Sequence, residues 1–260
     1  MLSLAFSPCP NDTFVFAALV HGLIDTEGLT FSYQMADVEE LNNMALAGEI
    51  DMIKVSFHAW LLIREHYELL ESGSALGFGN GPLLIARNRI PGNQMQDMRV
   101  ALPGINTTAH LLFNLALPQV SRKEFMLFSK IEGAVLSGAV DAGVIIHESR
   151  FTYQQKGLVK LMDLGEFWEE KSASPIPLGG IIAKRHLGED TLDKLNRIMR
   201  RSVLYAMKEP EKVMDFVRAH AQEMDDDVIR KHIDLYVNRF TLDLGEEGGR
   251  AIQTLIDIYD

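Results

Sequence analysis

The clearest fold signal in this chain is the run Ala142-Gly143-Val144-Ile145-Ile146-His147-Glu148. An apolar segment leads to a single histidine, and polar residues begin there. A short run rich in Val and Ile predicts a buried strand, and continuous apolar runs of this kind are typical of parallel sheets. His147 then lies at the C-terminal end of the strand, the edge where open α/β sheets bind ligands. An imidazole at this edge is suited to proton transfer near pH 7.

On both sides of this strand, short apolar runs alternate with segments of helical spacing. The first series is strand Leu2–Phe6, helix Thr13–Val20, strand Leu29–Met35, helix Val38–Leu46, strand Glu49–Val55 and helix Phe57–Ile63. The second series is strands Leu83–Ala86 and Val100–Leu102, helix Thr107–Ala116, strand Phe125–Phe128, helix Ile131–Ser137 and strand Ala142–Ile146. This β-α-β order predicts parallel sheets with right-handed crossovers.

Turn-rich segments separate the two series. Gly77–Pro82 and Arg87–Asp97 interrupt the pattern once, and Ser172–Gly180, with two prolines and two glycines, interrupts it again. From Leu187 onward the apolar residues follow helical spacing, and these helices need a sheet face to cover. We therefore expect the chain to leave a first lobe, build a second one and return to the first.

The layout predicts an α/β protein with two lobes and a central cleft. The larger lobe is discontinuous and comprises residues 1–86 and 178–260, whereas residues 87–177 form the smaller lobe. Two α/β lobes joined by two crossing segments are the architecture of type II periplasmic-binding-protein-like folds. The analogy concerns layout alone.

The composition is that of an ordinary globular protein. The chain has 260 residues, of which 47% are hydrophobic and 23% charged, which suits one large domain or two modest lobes. Its net charge of −11 argues against nucleic-acid and anionic-membrane partners, because phosphate binding needs clustered Lys and Arg.

Several features point to a cytoplasmic protein. A lone cysteine, Cys9, excludes an intrachain disulfide and fits a reducing compartment. The segment that begins at Met1 lacks the basic start and long apolar run of a secretory signal. No stretch of the sequence approaches the roughly 18 apolar residues of a membrane span. We therefore expect a cytoplasmic location.

The first strand ends in Ser7-Pro8-Cys9-Pro10-Asn11-Asp12-Thr13. Each proline disfavours helical angles at the residue before it, so this segment is a stiff, extended turn. For Asp12 we favour a helix-capping role. Cys9 and Asn11 are candidates for the cleft wall, although a lone cysteine is more often a small buried side chain than a nucleophile.

Two other strand ends place hydroxyl groups just before a helix. One is Lys54-Val55-Ser56, and the other is Thr107-Thr108-Ala109, which follows a Pro-Gly turn. Hydroxyls and free backbone N–H groups at a helix N-terminus bind anions such as carboxylates, and they serve equally well as ordinary caps. Lys54 either points into the cleft or is solvated. Since a cleft contacts its ligand from both lobes, we predict that these two segments and His147 form one ligand-binding site.

Other chemistries lack their motifs. His147-Glu148-Ser149-Arg150 has no second histidine at zinc-helix spacing and the chain has no cysteine pair, so we predict no metal. Gly77–Gly81 lacks the spacing of the dinucleotide fingerprint and precedes a strand. We therefore expect no cofactor.

Four motifs together resemble one enzyme family: Ser7–Phe14, Lys54-Val55-Ser56, Thr107-Thr108-Ala109 and Gly143–Glu148. In this order they resemble the 1,4-dihydroxy-6-naphthoate synthases of the futalosine route to menaquinone, and the resemblance runs over nearly the whole chain. It implies the two-lobed fold described above. It also implies a cofactor-independent carbon–carbon lyase that converts cyclic dehypoxanthine futalosine to 1,4-dihydroxy-6-naphthoate.

The resemblance also implies roles for individual residues. His147 matches the proton acceptor. One substrate-binding segment matches Lys54-Val55-Ser56, and the other matches Thr108 and Ala109, with Thr107 adjacent. The expected partner is a small-molecule carboxylate substrate, and a homodimer is left open.

There are two alternatives, of which one is an enzyme with another substrate and the other is not an enzyme. The first is chorismate dehydratase of the same pathway, against which the Ser-Pro-Cys-Pro-Asn-Asp opening argues. The second is a non-enzymatic solute-binding protein for small anions, against which the histidine at the strand end argues. Turnover of chorismate would support the first alternative, and tight binding without product formation would support the second.

Overall fold

The computed structural model describes residues 1–221 and 225–260, and the strands in these residues form two mixed sheets. The first sheet comprises β1 (Leu2–Phe6), β2 (Phe31–Met35), β3 (Met52–Ser56), β4 (Tyr67–Leu69), β5 (Ala75–Gly77) and β11 (Ile176–Lys184). The second comprises β6 (Leu83–Ala86), β7 (Val100–Leu102), β8 (Lys123–Phe125), β9 (Ala142–Ile145) and β10 (Val159–Asp163). The predicted α/β class is confirmed.

Helices follow most strands and dominate the C-terminal third of the described chain. They are α1 (Pro10–Val20), α2 (Val38–Leu46), α3 (Phe57–Ile63), α4 (Thr108–Ala116), α5 (Phe128–Ser137), α6 (Ser149–Thr152), α7 (Leu164–Ser172), α8 (Glu189–Lys208), α9 (Met214–His220), α10 (Asp226–Tyr236), α11 (Arg239–Leu242) and α12 (Gly245–Tyr259). Within the described ranges, no helix combines the length and hydrophobicity needed to cross a bilayer.

Each sheet combines parallel and antiparallel pairs. In the first sheet the order is β2-β1-β3-β11-β4, with β5 also paired to β11. Strand β1 is parallel to β2 and β3, whereas β11 is antiparallel to β3, β4 and β5. In the second sheet the order is β10-β6-β9-β7-β8, and only the pairs of β7 with β8 and β9 are parallel. The sequence predicted the parallel pairs but not the antiparallel strands that complete each sheet.

The segment Ser172–Gly180, predicted as a crossing, lies largely within strand β11. Its glycines serve close strand pairing: a Cβ added at Gly179 would lie 2.7 Å from the backbone oxygen of Val55 on β3. The register also shifts between Pro177 and Gly179, where β11 pairs with β5. Glycines that resemble a turn in sequence therefore allow β11 to lie against β3.

The sheets also correct the predicted lobe boundaries in detail. Residues 83–86 were assigned to the larger lobe, but β6 pairs with β9 and β10 in the second sheet. Ile176 and Pro177 were assigned to the smaller lobe, but they pair with β5 in the first sheet. The chain therefore crosses before Leu83 and has returned by Ile176.

Helices from the C-terminal third cover the first sheet, as the helical spacing predicted. Phe6 of β1 stacks on Phe16 of α1 at 4.3 Å between ring centroids, and Leu195 of α8 joins the same buried cluster. Ile229 of α10 packs in a neighbouring cluster with Phe14 of α1. Burying each such side chain contributes about 1.5–3 kcal/mol. This packing fixes α10 beside the N-terminus of α1.

Candidate active site

One cavity is lined by strands β3, β5 and β11 of the first sheet and by segments next to the second sheet, namely the start of α4 and the residues after β9. Its polar lining consists of Ser7, Asn11, Asp12, Lys54, Ser56, Asn80, Thr107, Thr108, His147 and Tyr236. Val55 and Ala109 also line it. The structure therefore brings together every site residue predicted from the sequence except Cys9, which is buried and not part of this lining.

His147 lies two residues beyond β9 in an unusual backbone conformation. Its φ is +59°, the left-handed region, which costs a non-glycine residue about 1–3 kcal/mol and persists only where the surroundings enforce it. The imidazole ring contacts Phe128 at 4.8 Å and lies nearly parallel to His232 at 6.2 Å between centroids. Its Nε2 is buried and has no hydrogen-bond partner within the described chain. Among the described residues, this nitrogen is therefore available for a hydrogen bond to a ligand.

The environment keeps His147 neutral at physiological pH. Burial is the main cause that lowers the pKa of His147 to about 4, and the charge of Lys54 acts in the same direction. The carboxylate of Asp12 acts in the opposite direction and raises this pKa. The imidazole is thus present as a free base, next to a carboxylate that favours its protonated form.

Asp12 forms a buried ion pair, so the predicted capping role is wrong. Lys54 Nζ lies 3.1 Å from Asp12 Oδ1, and fewer than a tenth of either side chain is exposed. The cap position of α1 is Cys9, whose side chain makes no capping hydrogen bond. Lys54 also donates to the carbonyl of Gly73 at 2.8 Å, so it points into the protein and is not solvated.

Further hydrogen bonds hold the Asp12 carboxylate. Ser7 Oγ donates to Oδ2 at 2.8 Å, and Asn11 Nδ2 donates to Oδ1 at 2.8 Å. The side-chain Oδ1 of Asn11 in turn accepts a hydrogen bond from Nε2 of the fully buried His232 at 2.8 Å. This partner makes Nε2 the protonated nitrogen of His232. Burial and the neighbouring His147 hold the pKa of His232 well below its usual range.

The N-terminus of α4 faces the cavity, and its two threonine hydroxyls are already engaged. Thr107 caps the helix by accepting from the His110 N–H at 3.2 Å. Thr108 Oγ1 donates to the carbonyl of Leu178 on β11 at 2.7 Å and accepts from the His58 N–H at 3.3 Å. The candidate anion-binding groups on α4 are therefore the backbone N–H groups of Thr108 and Ala109, since the His110 N–H is already bonded to Thr107.

Ser56 is fixed by Asn42 and does not cap α3 with its side chain. Its backbone N–H donates to Asn42 Oδ1 at 2.9 Å, and its hydroxyl oxygen accepts from Asn42 Nδ2 at 3.2 Å. The hydroxyl proton is not used in either bond. Ser56 can therefore donate to a ligand in the cavity.

Sequence reasoning missed Asn80 and Tyr236. Asn80 is 1% exposed, and neither atom of its amide has a partner among the described residues, which costs about 1–3 kcal/mol per buried group. Tyr236, on α10, has its pKa raised to about 12 by burial, so it remains a neutral phenol. Asn80 lies in the glycine-rich segment that the sequence indicates as a turn between the two series and that lacks the nucleotide motif, and Tyr236 gives no signal beyond helical spacing.

A group of metal-ligating side chains lies next to the cavity. Cys9, His147 and Glu148 offer ligand atoms that all lie within 4.8 Å of one another. Burial raises the pKa of Cys9 well above its usual range, which disfavours the thiolate that binds metals. The absence of a metal from the site stays a prediction.

The sequence matches the family model described as menaquinone biosynthesis over residues 2–260. The chain belongs to this menaquinone-biosynthesis family. The 1,4-dihydroxy-6-naphthoate synthase of Thermus thermophilus is 48% identical over 254 residues, 98% of this chain and 92% of the relative. The enzyme of the same name from Streptomyces coelicolor is 46% identical over 260 residues, 98% of this chain and 91% of the relative. These relatives confirm the resemblance drawn from the four motifs.

Solved structures agree with the fold. A protein from Archaeoglobus fulgidus aligns with a TM-score of 0.93 and 32% identity, covering 99% of this chain and 96% of that chain. The periplasmic aliphatic sulphonate binding protein of Escherichia coli aligns with a TM-score of 0.66 over 99% of this chain and 86% of its own. At 13% identity this second likeness concerns the fold alone, and it confirms the predicted periplasmic-binding-protein-like architecture.

Proposed function

We propose that this protein is a lyase that converts cyclic dehypoxanthine futalosine to 1,4-dihydroxy-6-naphthoate, with His147 as the general base. The observation that carries the proposal is a neutral imidazole that lines the cavity and whose Nε2 has no hydrogen-bond partner among the described residues. The names of the Thermus and Streptomyces relatives support the reaction.

The proposed reaction begins with proton transfer from the sugar-derived part of the substrate. His147 takes the proton of a hydroxyl group, and the oxygen electron pair forms a carbonyl while the adjacent carbon–carbon bond breaks. The electrons of that bond pass into the substrate ring, where aromatisation drives the retro-aldol-like fragmentation. No outside oxidant or reductant is needed, which is consistent with the predicted cofactor independence.

Asp12 supports the protonated form of the base. When His147 accepts a proton in a buried site, the imidazolium is costly, and the Asp12 carboxylate offsets part of this cost. The carboxylate is itself fixed by Lys54, Ser7 and Asn11. An oriented charge of this kind needs no reorganisation during the reaction, which favours the transition state.

The aromatic carboxylate of the substrate has its own donors in the cavity. The first-turn N–H groups of α4 at Thr108 and Ala109 provide the positive end of a helix dipole, and the Ser56 hydroxyl adds a donor. Thr108 hydrogen-bonds Leu178 on β11, and β11 pairs with the strand that carries Ser56. These donors are therefore held in a fixed position relative to one another.

The test is turnover of cyclic dehypoxanthine futalosine by the purified protein, with 1,4-dihydroxy-6-naphthoate detected by mass. Substitution His147→Asn is expected to lower kcat about 10²–10⁴-fold, the usual contribution of a general base. Asn tolerates the left-handed backbone at this position, so the fold is retained. The exposed His186 provides a matched control, and His186→Asn leaves kcat unchanged.

Three other results have distinct meanings. Normal turnover by His147→Asn keeps the reaction and removes the base. Turnover of chorismate in place of the expected substrate overturns the reaction in favour of the dehydratase. Binding of a small anion without any product supports a solute-binding protein.

A further inference from the structure

Asn80 presents an uncommitted amide to the active-site cavity. It lies in the connection between β5 and β6, where the chain passes from the first sheet to the second. The residue is 1% exposed, yet neither Nδ2 nor Oδ1 has a hydrogen-bond partner among the described residues. Buried amides in native proteins are almost always paired, so an unpaired one that lines a cavity points to a ligand.

The backbone on both sides of Asn80 is held in place. The Gly79 N–H donates to Glu169 Oε1 at 2.7 Å, and the Gly81 carbonyl accepts from the Arg150 guanidinium. Gly81 also packs on Gly165, since a Cβ at Gly81 would lie 2.3 Å from the Gly165 Cα. These contacts hold the loop on both sides of Asn80 in the position that directs its amide to the cavity.

Arg150 is anchored as well. Its guanidinium lies 3.2 Å from the carboxylate of Asp163, and both side chains are largely buried. Asp163 in turn accepts from the backbone N–H groups of Gly165 and Glu166 at the start of α7. The support for the Asn80 loop thus reaches into the second sheet through β10.

The chemistry of the amide selects one part of the substrate. An Asn side chain offers two N–H donors and one carbonyl acceptor, without charge, which matches hydroxyl and carbonyl groups. The carboxylate has its own donors at the N-terminus of α4, with the adjacent Ser56 hydroxyl. The same cavity holds His147, the proposed base for a substrate hydroxyl.

We propose that Asn80 is a specificity-determining residue that binds the hydroxylated, sugar-derived part of the substrate. This inference rests on the proposed function, because it assigns a group of the substrate named there. Asn80 thereby places the reacting hydroxyl against His147. A ligand that lacks the sugar-derived part forms no hydrogen bond with the Asn80 amide, so its affinity does not depend on Asn80.

The experiment compares the full chain with Asn80→Leu, which keeps the branched shape of the side chain and removes its polar atoms, and with Asn80→Ala. Binding of the cyclic substrate is measured by calorimetry in a His147→Asn background, where turnover is suppressed. Loss of two hydrogen bonds is expected to weaken substrate binding about 10–100-fold. Binding of the product 1,4-dihydroxy-6-naphthoate, which has lost the departing fragment, changes less than about twofold.

Thermal stability separates binding from a structural role. Since the Asn80 amide has no partner among the described residues, Asn80→Leu is expected to leave the Tm of the ligand-free protein unchanged or to raise it. Asn238 is the matched control, because its Nδ2 donates to the Leu76 carbonyl and its Oδ1 accepts from the Phe240 N–H, both at 2.9 Å. Asn238→Leu is expected to lower the Tm.

The outcomes are distinguishable. Normal substrate binding by the Asn80 variants of an active parent overturns this inference alone. Equal weakening of substrate and product binding also overturns it, because the amide then holds the shared aromatic part. A parent chain without any turnover overturns the proposed function, and this inference with it.

Discussion

Two groups of polar atoms in the active-site cavity differ in their hydrogen bonding. The Asp12 carboxylate receives hydrogen bonds from Ser7 and Asn11 and an ion pair from Lys54. Nε2 of His147 and the amide of Asn80, by contrast, are buried without a partner in the described chain. Since unpaired buried groups are costly, the contrast separates atoms that hold the structure from atoms that are available to a ligand. A fixed carboxylate near a neutral imidazole is the arrangement that the proposed general-base role of His147 requires.

The largest effect is expected from removing the cation that pairs with the Asp12 carboxylate. Substitution Lys54→Met leaves the Asp12 carboxylate charged and buried, which lowers the free energy of unfolding by about 3–5 kcal/mol. Urea denaturation at pH 7 measures this change. The control is Lys160→Met, since the Lys160–Glu166 pair is exposed and its loss costs less than about 1 kcal/mol. Equal losses in the two variants would contradict a structural role for the buried pair.

An intermediate effect is expected from the unpaired imidazole of His147, through the pH dependence of the free energy of unfolding. The pKa of His147 is about 4 in the folded protein, whereas an unfolded histidine titrates near 6.5. Between these values the unfolded chain binds a proton that the folded chain does not, so the free energy of unfolding falls as the pH drops. The loss of stability reaches about 3 kcal/mol near pH 4. Above pH 6.5 the free energy of unfolding is not reduced by this group.

Urea midpoints measured from pH 7.5 to pH 4.5 test this dependence. In His147→Asn the loss of stability with acid is smaller than in the parent, because one buried imidazole has been removed. Some dependence remains, since His232 is also buried with a lowered pKa. An unchanged slope in the variant would show that His147 titrates normally, and the exposed His186→Asn is expected to match the parent.

The smallest expected effect is that of chelation. If His147 is kept for the substrate, then treatment with EDTA leaves kcat within about twofold of its starting value. The alternative is a metal held by Cys9, His147 and Glu148, whose ligand atoms lie within 4.8 Å of one another. Loss of activity on chelation, restored by a divalent metal and abolished in Cys9→Ala, would assign the histidine to a metal.

Local sequence predicted the position of the site well. Ser56, Thr108 and His147 lie at or just beyond a strand end or at a helix start, and Lys54 lies two residues before the end of β3. At such positions a change from apolar to polar residues is visible without any knowledge of the fold. The family motifs added the expected role of His147. Periodicity therefore located the cavity, and motif resemblance indicated its chemistry.

The remaining features depend on contacts between distant parts of the chain. The left-handed backbone of His147 has no local signal, because histidine rarely adopts it. Asp12 resembled a cap because its partner, Lys54, is distant in sequence. His232 and Tyr236 reach the site only because α10 packs on α1, which no periodicity predicts.

Strand β11 has a consequence for the order in which the chain is built on the ribosome. It pairs with β3, β4 and β5, and it is made only after every strand of the second sheet has been synthesised. Until then β3 has β1 on one side and an open edge on the other, a surface prone to non-native pairing. The strands of the second sheet all lie within residues 83–163, so they can pair while the first sheet is still incomplete. Strand β11, the last to emerge, therefore completes the first sheet. Its Leu178 carbonyl also accepts a hydrogen bond from the Thr108 hydroxyl at the active-site cavity.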